Sequence, residues 1–569
     1  MSVTLGIDVG TGSVRLYLND GGKGESYEAE TTTYHSGNFI TQSSNEIFNK
    51  ILGLISNLKN KDDVRAIGTT ATCSMVVLEK VQVDGVIYLK PFDAISGNDS
   101  QQKEMQDIIL WMDNRATEET KHLNSLLKNK DIAKYVGGSF VPELGVPKLK
   151  WLSDNFPGRQ LVCFELYDWI NYLLLVGGFN EDCLVEYKAK TFDFEDKSYA
   201  IDGSIKGWPR AVLTESFGIS ENIEVGGADF QIGSASFPRV GMELGQAHTL
   251  FGFNGALIGN GCIDSYSGWL ANISEPNGLE DPIGGTLAMV AGTSTCFVIA
   301  SEDESVNFIP NIWGPFNQII PGVRVYELGQ PSTGKLFQRL FNTFDKFIRK
   351  NVSKDAAASS VFEYLEQETL KLSTPSITQV IRNYFYYGDV DGNRNPISDN
   401  TMSEMVIDGF NYDRKLAPII DNNEDNKSFV IKYNLILEFL CFQTRHIVET
   451  LQNGGFKIEK IRVSGSQAKN RRFLELLSNV TQLRVTCVEV DSKYNVARGA
   501  SFIGNIARTG KFEKEKPLHT SFTTSYSNWS KSEILPTDKD KDLLLIKYGI
   551  FRDMIEMQTK FRRLVNRDY

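Results

Sequence analysis

The sequence is poor in the residues that build metal and disulfide sites. It contains five histidines and seven cysteines in 569 residues, with no H-E-x-x-H motif and no C-x-x-C pair. A histidine metal centre and a structural zinc site are therefore not expected. The odd number of scattered cysteines also argues against a disulfide framework and favours a reducing compartment.

Long apolar runs and an excess of positive charge are missing as well. The longest apolar run, around 169–176, is too short to span a bilayer, and the chain opens on a strand-like segment without a targeting leader. The net charge of −11 offers no basic stripe to nucleic acid and disfavours anionic membranes. We therefore expect a cytoplasmic protein without nucleic-acid or membrane partners. ATP is still allowed, because a nucleotide site uses local N–H groups and a metal ion.

The length and the element pattern predict two α/β domains. A chain of 569 residues is too long for one hydrophobic core, and helix and strand patterns alternate along it. The Pro-, Gly- and acid-rich segment Ser274–Gly285 separates a first domain, 1–280, from a second, 286–569. Hydrophobic periodicity predicts the following elements: helices over 45–59, 429–451 and 543–563, and strands over 64–70 and 458–463.

Each predicted domain opens on the same pattern. Leu5–Leu18 reads LGIDVGTGSVRLYL and Leu287–Ala300 reads LAMVAGTSTCFVIA. Both consist of an apolar strand, a Gly-Thr turn with a hydroxyl residue close behind, and a second apolar strand. The repeat favours a duplicated domain over two unrelated hairpins.

The first turn has the composition of a phosphate-binding site. Glycine lets backbone N–H groups approach a phosphate without an intervening Cβ, and hydroxyls add donors. The candidate ATP contacts are Gly10, Thr11, Gly12 and Ser13. Asp8, just before the turn, is placed to hold Mg²⁺. A Rossmann interpretation is weaker, because the third glycine is missing and a strand follows the turn.

The second turn, Gly292-Thr293-Ser294-Thr295, offers the same donors, and we expect the two turns to enclose the triphosphate. A competing match is GQPSTGK over Gly329–Lys335, which has P-loop spacing between a predicted strand and helix. However, Leu336 stands where a P-loop needs a hydroxyl for Mg²⁺, and Pro331 removes one N–H donor. The two turns are therefore the preferred phosphate site.

Five segments, in this order, resemble the FGGY carbohydrate kinases. They are Asp8–Ser13, LWMDNRA over 110–116, ELGQ over 327–330, GNRNP over 392–396 and the loop Ser464–Asn470. They extend over nearly the whole chain and are most similar to the ribulokinase branch, D-ribulokinase-type proteins included. Glycerol kinases and xylulokinases are more loosely similar. The resemblance implies two ribonuclease H-like domains of the actin and hexokinase type with an interdomain cleft, the sugar bound mainly by the first and ATP mainly by the second.

The resemblance also implies an aspartate general base late in the first domain. The candidates are Asp229, in GGAD, and Asp264, in GCIDSYSG. Asp264 is preferred because a small and polar run follows it shortly before the domain boundary. It would accept the proton of the attacking sugar hydroxyl and share a magnesium ion with Asp8. A helix-capping role for Asp264 is compatible with this.

The resemblance places sugar contacts on both domains. They are Trp111, Asp113 and Arg115 on the first domain, Glu327 and Gln330 on the second, and Lys188, with Lys190 an equally close placement. The alternative interpretation is an Arg–Asp pair that supports a loop and an acid at a strand end.

The resemblance assigns adenine to the loop Ser464–Asn470. Its candidate ATP contacts are Gly465, Ser466, Lys469 and Asn470. Relatives have a denser Gly-Gly motif in this loop, and Tyr494 stands where they commonly have Glu. The nucleotide could therefore bind more weakly or in a shifted pose.

Together these observations predict ATP- and Mg²⁺-dependent phosphorylation of a small sugar. D-ribulose is the first choice, with L-ribulose, xylulose and glycerol as alternatives. A family member that lost catalysis and acts as a regulatory or binding protein stays open, although Asp8, Asp264 and both Gly-Thr turns argue against it. An actin- or chaperone-like ATPase gives no reason for the WMDNR run. Whether the protein forms a homodimer is also open.

Overall fold

The α/β architecture comes from a computed structural model that describes residues 3–20, 24–97, 105–127, 131–187, 204–226, 240–273, 285–292, 294–303, 306, 308–316, 323–355, 357–407, 424–488, 492–510 and 531–565. The chain divides into two units. Unit 1 consists of Met1–Gly284, Val298–Glu327 and Lys493–Trp529, and unit 2 of Gly285–Phe297, Leu328–Ser492 and Ser530–Tyr569. Residues 298–327 and 493–529, which the sequence assigned to the second domain, are thus grouped with unit 1.

The strands and helices are numbered separately in chain order. The strands are β1 Val3–Val9, β2 Ser13–Asn19, β3 Glu25–Glu30, β4 Tyr34–Ser36, β5 Phe39–Gln42, β6 Val64–Ala71, β7 Met75–Val83, β8 Val86–Pro91, β9 Ile108–Ile109, β10 Leu161–Glu165, β11 Val185–Glu186, β12 Ile223–Val225, β13 Glu243–Gln246, β14 Leu257–Ile263, β15 Thr286–Ala291, β16 Thr295–Ser301, β17 Trp313–Phe316, β18 Arg324–Gln330, β19 Phe385–Tyr387, β20 Met405–Ile407, β21 Lys460–Gly465, β22 Arg484–Val488 and β23 Lys531–Ile534. The helices are α1 Ser44–Ser56, α2 Thr117–Leu127, α3 Gly145–Asn155, α4 Leu166–Val176, α5 Asp264–Ile273, α6 Gly334–Thr343, α7 Asp345–Asn351, α8 Ala358–Leu372, α9 Ile377–Val380, α10 Asn426–Asn453, α11 Arg471–Thr481, α12 Asn495–Thr509 and α13 Lys541–Val565.

The elements predicted from periodicity are confirmed to within a few residues. The predicted helices correspond to α1, α10 and α13, and the predicted strands to β6 and β21. Both Gly-Thr patterns are strand–turn–strand units, β1–β2 and β15–β16. These segments carry their signal locally, in apolar spacing and turn glycines, which is why the sequence alone identifies them.

The main sheet of unit 1 has the order β13-β14-β6-β1-β2-β3. β1, β6 and β14 run parallel, and β2 and β13 pair antiparallel with their neighbours. Residues 4–9 of β1 are all buried, as expected for a central strand covered on both faces. Helix α12 packs against β1 so closely that a Cβ at Gly6 would lie 1.8 Å from the Ala497 carbonyl oxygen. Only glycine fits there.

A second sheet in unit 1 has the order β11-β8-β7-β9-β5-β4, and β10 joins it by pairing with β7 and β12. The core beside it is built from apolar residues of the two sheet strands β7 and β10, of helices α2 and α3, and of the segment 205–225. Strand β10 leads directly into α4.

Unit 2 repeats the strand order of unit 1. Its sheet includes the order β15-β21-β22-β23, in which β15, β21 and β22 are parallel and β23 is antiparallel to β22. The corresponding strands in unit 1 are β1-β6-β14-β13, with the same relative directions. This correspondence supports the duplicated domain inferred from the two Gly-Thr patterns.

Within the described part of the chain, none of the helices combines the length and the apolar character needed to cross a bilayer. All seven cysteines are free thiols.

Candidate active site

The predicted general base, Asp264, and the predicted magnesium ligand, Asp8, lie at one edge of the main sheet of unit 1. Strands β1, β6 and β14 are parallel neighbours, and Thr70 of β6 is in register with both Asp8 and Cys262. Asp8 is therefore one residue from the end of β1, and Asp264 follows β14 directly as the first residue of α5. Because parallel strands end at the same edge, both carboxylates are presented there.

Both carboxylates hold their protons more tightly than an ordinary aspartate. Burial raises the pKa of Asp8 to about 6, although the Arg15 guanidinium, 3.4 Å from its Oδ2, acts in the opposite direction. Burial, together with the negative charges of Asp8 and Glu327, raises the pKa of Asp264 to about 8. The Ser265 N–H donates to Asp264 Oδ1 at 2.8 Å. The edge thus holds a cluster of carboxylates whose joint ionisation is unfavourable.

Glu327 and Gln330, both on β18, fall into different units. Glu327 belongs to unit 1, is cross-strand partner to Trp313 and is 8% exposed. Gln330 belongs to unit 2, is fully buried, and has no hydrogen-bond partner for either side-chain polar atom among the described residues. Glu327 therefore joins the carboxylate cluster, whereas sugar contact by Gln330 stays a prediction.

The first Gly-Thr turn is anchored by its neighbours and leaves its tip open. The Gly10 N–H donates to the Ser13 carbonyl at 3.0 Å, and the Thr11 carbonyl accepts from Gln42 Nε2 at 2.7 Å. A Cβ at Gly12 would meet no protein atom within 4 Å, and its φ is outside the left-handed region. Neither packing nor backbone conformation requires glycine at this position. A ligand that approaches the backbone directly would require glycine here, and this is what the hypothesis of a phosphate site predicts.

Sequence reasoning missed Arg15 and Glu28 beside this turn. Arg15 on β2 is the cross-strand partner of Asp8. The Glu28 carboxylate accepts from Arg15 Nε at 3.0 Å and from Ser13 Oγ at 3.1 Å, and it pairs with Lys493. The signal for Arg15 was available, since it lies two residues beyond Ser13 and so shares a strand face with it.

Trp111 links the predicted sugar segment to the phosphate turn. Its indole Nε1 donates to Thr11 Oγ1 at 3.0 Å, and its backbone N–H donates to Ser74 Oγ at 3.1 Å. Ser74 lies just beyond β6, at the edge that carries Asp8. The structure therefore brings Trp111 and the turn together within unit 1, and the Trp111 side chain is part-exposed.

Asp113 and Arg115 form a buried ion pair that supports this segment. Arg115 Nε and Nη2 each donate to the Asp113 carboxylate at 2.8 Å, and Nη1 donates to the Ala94 carbonyl. The guanidinium also lies over the rings of Phe39 and Trp151, 4.5 and 4.8 Å from their centroids. The two side chains are at most 1% exposed, so the geometry favours the loop-supporting interpretation over direct sugar contact.

Lys148 is a second support that the sequence did not single out for a role. Its ammonium group is buried and donates to the carbonyls of Leu110, Trp111 and Glu143 at 2.7, 2.9 and 2.8 Å. Burial lowers the pKa of Lys148 to about 8, against the opposing charge of Asp113. Lys148 and the Asp113–Arg115 pair thus both stabilise the backbone around Trp111.

In unit 2 the second Gly-Thr turn lies beside the predicted adenine loop. Parallel strands β15 and β21 end together, with Ala291 in register with Gly465. The Gly292 N–H closes its turn onto the Ser294 carbonyl at 2.8 Å. Ser466 Oγ donates to the Ala291 carbonyl at 3.4 Å. The second Gly-Thr turn and the predicted adenine loop therefore lie at the same edge of the sheet, where β15 and β21 end. In unit 1 the first Gly-Thr turn and the end of β6 share an edge in the same way.

The P-loop alternative over Gly329–Lys335 is not favoured by its contacts. Lys335 Nζ and Ser332 Oγ donate to the Asp391 carboxylate at 2.7 and 2.5 Å. The Gly334 N–H donates to the Gly292 carbonyl at 3.2 Å. The lysine and one amide that a P-loop would direct to phosphate are therefore engaged within unit 2.

Some predicted residues lie outside the described part of the chain. They are Lys188 with its alternative Lys190, Asp229 and Thr293. Their roles stay predictions.

Comparisons with known proteins identify the family to which the chain belongs. The family model described as "FGGY family of carbohydrate kinases, C-terminal domain" matches residues 287–508. A D-ribulokinase of Saccharomyces cerevisiae is 30% identical over 93% of this chain and 76% of its own length.

Solved structures share the fold at lower identity. A xylulose kinase from Rhodospirillum rubrum superposes with a TM-score of 0.69 at 16% identity, covering 98% of this chain and 99% of that one. A Plasmodium falciparum glycerol kinase with ADP gives a TM-score of 0.64 at 16% identity, covering 97% and 98%. The chain belongs to the FGGY family of carbohydrate kinases and is an ATP-dependent phosphotransferase that acts on a sugar hydroxyl.

Proposed function

We propose that this kinase phosphorylates a five-carbon ketose, with D-ribulose as its first substrate, and that Asp264 is the general base. The substrate assignment is supported by the 30% identity to a D-ribulokinase. The observation that carries the catalytic assignment is the position of Asp264, a half-buried carboxyl at the strand edge with a pKa raised to about 8.

Asp264 would act on the sugar hydroxyl that attacks ATP. As the hydroxyl oxygen forms its bond to the γ-phosphorus, the bond to the β,γ-bridging oxygen breaks and ADP leaves. The hydroxyl proton moves to the Asp264 carboxylate. A base whose pKa lies near the working pH is efficient in this role, because it is both available and basic enough.

Both units carry candidate nucleotide contacts in this proposal. In unit 2 the Gly292–Ser294 turn and the loop Ser464–Asn470 would bind the nucleotide. In unit 1 the N–H groups of Thr11–Ser13 and the Arg15 guanidinium would take phosphoryl oxygens, whereas the Gly10 N–H donates to the Ser13 carbonyl and shapes the turn. The open tip at Gly12 and the nearby cation support this role, since developing charge on the transferred group needs fixed donors.

The residues present fit a magnesium ion. No group of three or more potential ligands is found among the described residues, but magnesium in kinases takes one or two carboxylates and completes its shell with water and phosphate oxygens. Asp8 and Asp264 would hold it, and a cation there would relieve the repulsion that raises the pKa of Asp264. When bound, it neutralises charge on the phosphate chain.

Sugar binding in unit 1 would centre on Trp111. It is part-exposed and is held by Thr11 and Ser74, whereas the buried Asp113–Arg115 pair would act through the backbone. Glu327 is a further candidate, because its charge acts on Asp264. Lys188 is proposed from family resemblance alone.

The test is ADP release with MgATP and a panel of ketoses, aldoses and polyols. We expect turnover that depends on sugar, is fastest with D-ribulose, and is lost in Asp264→Ala. Fastest turnover with L-ribulose, xylulose or glycerol would change the proposed substrate, but Asp264 would remain the proposed general base. Nucleotide binding without turnover on any sugar would favour a regulatory protein, and sugar-independent ADP release would favour an ATPase.

A further inference from the structure

The side chain of Asn470 is fully engaged inside unit 2. Asn470 ends the predicted adenine loop and caps helix α11, where its Oδ1 accepts from the Phe473 N–H at 3.0 Å. Both hydrogens of its amide are used as well, since Nδ2 donates to Glu366 Oε1 at 3.1 Å and to Tyr433 Oη at 2.9 Å. Its amide hydrogens are therefore not available to the base of a nucleotide.

Glu366 on α8 is the centre to which these contacts converge. Arg472 donates to it twice, from Nε at 2.7 Å and from Nη2 at 3.0 Å, and the Tyr433 hydroxyl donates to it too. Arg472 Nη1 also donates to Asn434 Oδ1 at 2.6 Å. Burial acts to raise the pKa of Glu366, but the hydrogen bonds and charge of Arg472, with Tyr433 and Asn470, lower it overall. Glu366 is thus an ionised acceptor.

The network ties the end of the loop to three helices. Glu366 lies on α8, Tyr433 and Asn434 on α10, and Arg472 on the first turn of α11. The start of the loop is fixed separately, because Gly465 is in register with Ala291 in the parallel β15–β21 pair. The far end of the loop is anchored by the contacts of Asn470 and Arg472 with Glu366.

We propose that Glu366 is a positioning residue for nucleotide binding, which fixes the end of the loop Ser464–Asn470 through Asn470 and Arg472. Asn470 then contributes as a loop anchor, and the adenosine part of ATP is received by the loop backbone that this anchor holds in place. The inference rests on the proposed nucleotide role of this loop. It adds a residue that is distant in sequence and for which the described part of the chain shows no hydrogen bond or ion pair to the phosphate turns.

The chain offers a matched control on the same helix. Arg471 adjoins Arg472 and makes a solvent-exposed pair with Glu475, Nε to Oε1 at 2.9 Å. Glu366→Gln removes the carboxylate charge that pairs with Arg472, and Glu475→Gln removes the one that pairs with Arg471. Only the first change acts on Asn470.

The experiment measures kcat, the KM for MgATP and the KM for the sugar in both variants. Weakening hydrogen bonds to a charged group predicts a rise of about 10-fold in the KM for MgATP in Glu366→Gln. kcat and the sugar KM should stay within about twofold, and Glu475→Gln should match wild type. The milder Arg472→Lys, which keeps the charge and loses the two-pronged contact, should show a smaller rise.

Several results would overturn the proposal. They are an unchanged KM for MgATP in Glu366→Gln, an equal rise in Glu475→Gln, or a fall of the apparent kcat with both KM values unchanged, which a general loss of folded protein would give. Titration calorimetry with ADP separates this proposal from the proposed function. A wild type that binds ADP but lacks sugar turnover refutes the latter, while about 10-fold weaker ADP binding by Glu366→Gln still supports the former. A wild type that does not bind ADP refutes both.

Discussion

Replacing Asp264 by Asn should strongly slow catalysis and stabilise the unliganded protein. Folding moves the pKa of this carboxyl from 3.8 to about 8, so the unfolded chain releases the proton at lower pH than the folded one. The wild type therefore loses stability as the pH rises from about 4 to about 8, and an amide, which cannot ionise, avoids that loss.

The size of the effect follows from the shift. One pKa unit corresponds to about 1.4 kcal/mol, so a shift of about four units sets an upper limit of about 6 kcal/mol. Solvent around a half-buried carboxyl screens part of this, and we expect a gain of about 2 kcal/mol at pH 8. Loss of a general base should lower kcat by a factor of about 10²–10⁴.

The assay is chemical denaturation of wild type and variant at pH 5 and pH 8, without nucleotide and with a chelator, beside ADP-release rates. The stability gap should widen between the two pH values. Asp154→Asn, at an exposed aspartate of the same unit, is the control and should give no such widening. The reasoning would be refuted if wild type and Asp264→Asn were equally stable, or if their difference in stability did not depend on pH. A variant that keeps its turnover would refute it as well.

Three further changes test the surroundings of Asp264. Gly12→Ala should keep the fold and raise the KM for MgATP by roughly tenfold, because its Cβ meets no protein atom within 4 Å but enters the proposed phosphate site; Gly68→Ala, whose Cβ would lie 1.9 Å from a carbonyl oxygen, should instead lower the thermal midpoint. Arg15→Met should lower kcat about 10- to 1000-fold, and since Arg15 lowers the pKa of Asp8, it should move the acid limb of the pH–rate profile upwards. Asp113→Asn breaks a buried pair and should cost about 3–5 kcal/mol of stability, measured by denaturation, and the protein that remains folded should keep a near-normal sugar KM.

Much of the fold could be predicted from local signals. Apolar periodicity identified α1 and α10, and the Gly-Thr turns located both hairpins, since each signal lies within a few residues of what it specifies. The grouping of residues 493–510 with unit 1 could not be read this way. The grouping reflects the packing of α12 against β1, where Gly6 meets the Ala497 carbonyl. Apolar periodicity does not encode such a contact.

The candidate site was predicted where motifs are contiguous and missed where partners are distant in sequence. Turn chemistry singled out Asp8 and family resemblance singled out Asp264, and the structure places both at one edge of the main sheet of unit 1. Glu366 and Arg472 are 106 positions apart, so neither residue's neighbours indicate the pair. The burial of Asp113 and Arg115 could not be predicted from the sequence either, because an exposed loop could contain the same residues.

The most direct test of the central claim follows the label of γ-³²P-ATP in the presence of D-ribulose. We predict that wild-type protein places the label in a sugar phosphate, and that Asp264→Asn, folded and at least as stable, transfers it at a rate lower by a factor of about 10² or more. Label recovered only as inorganic phosphate, or transfer to sugar at the wild-type rate by Asp264→Asn, would contradict the account.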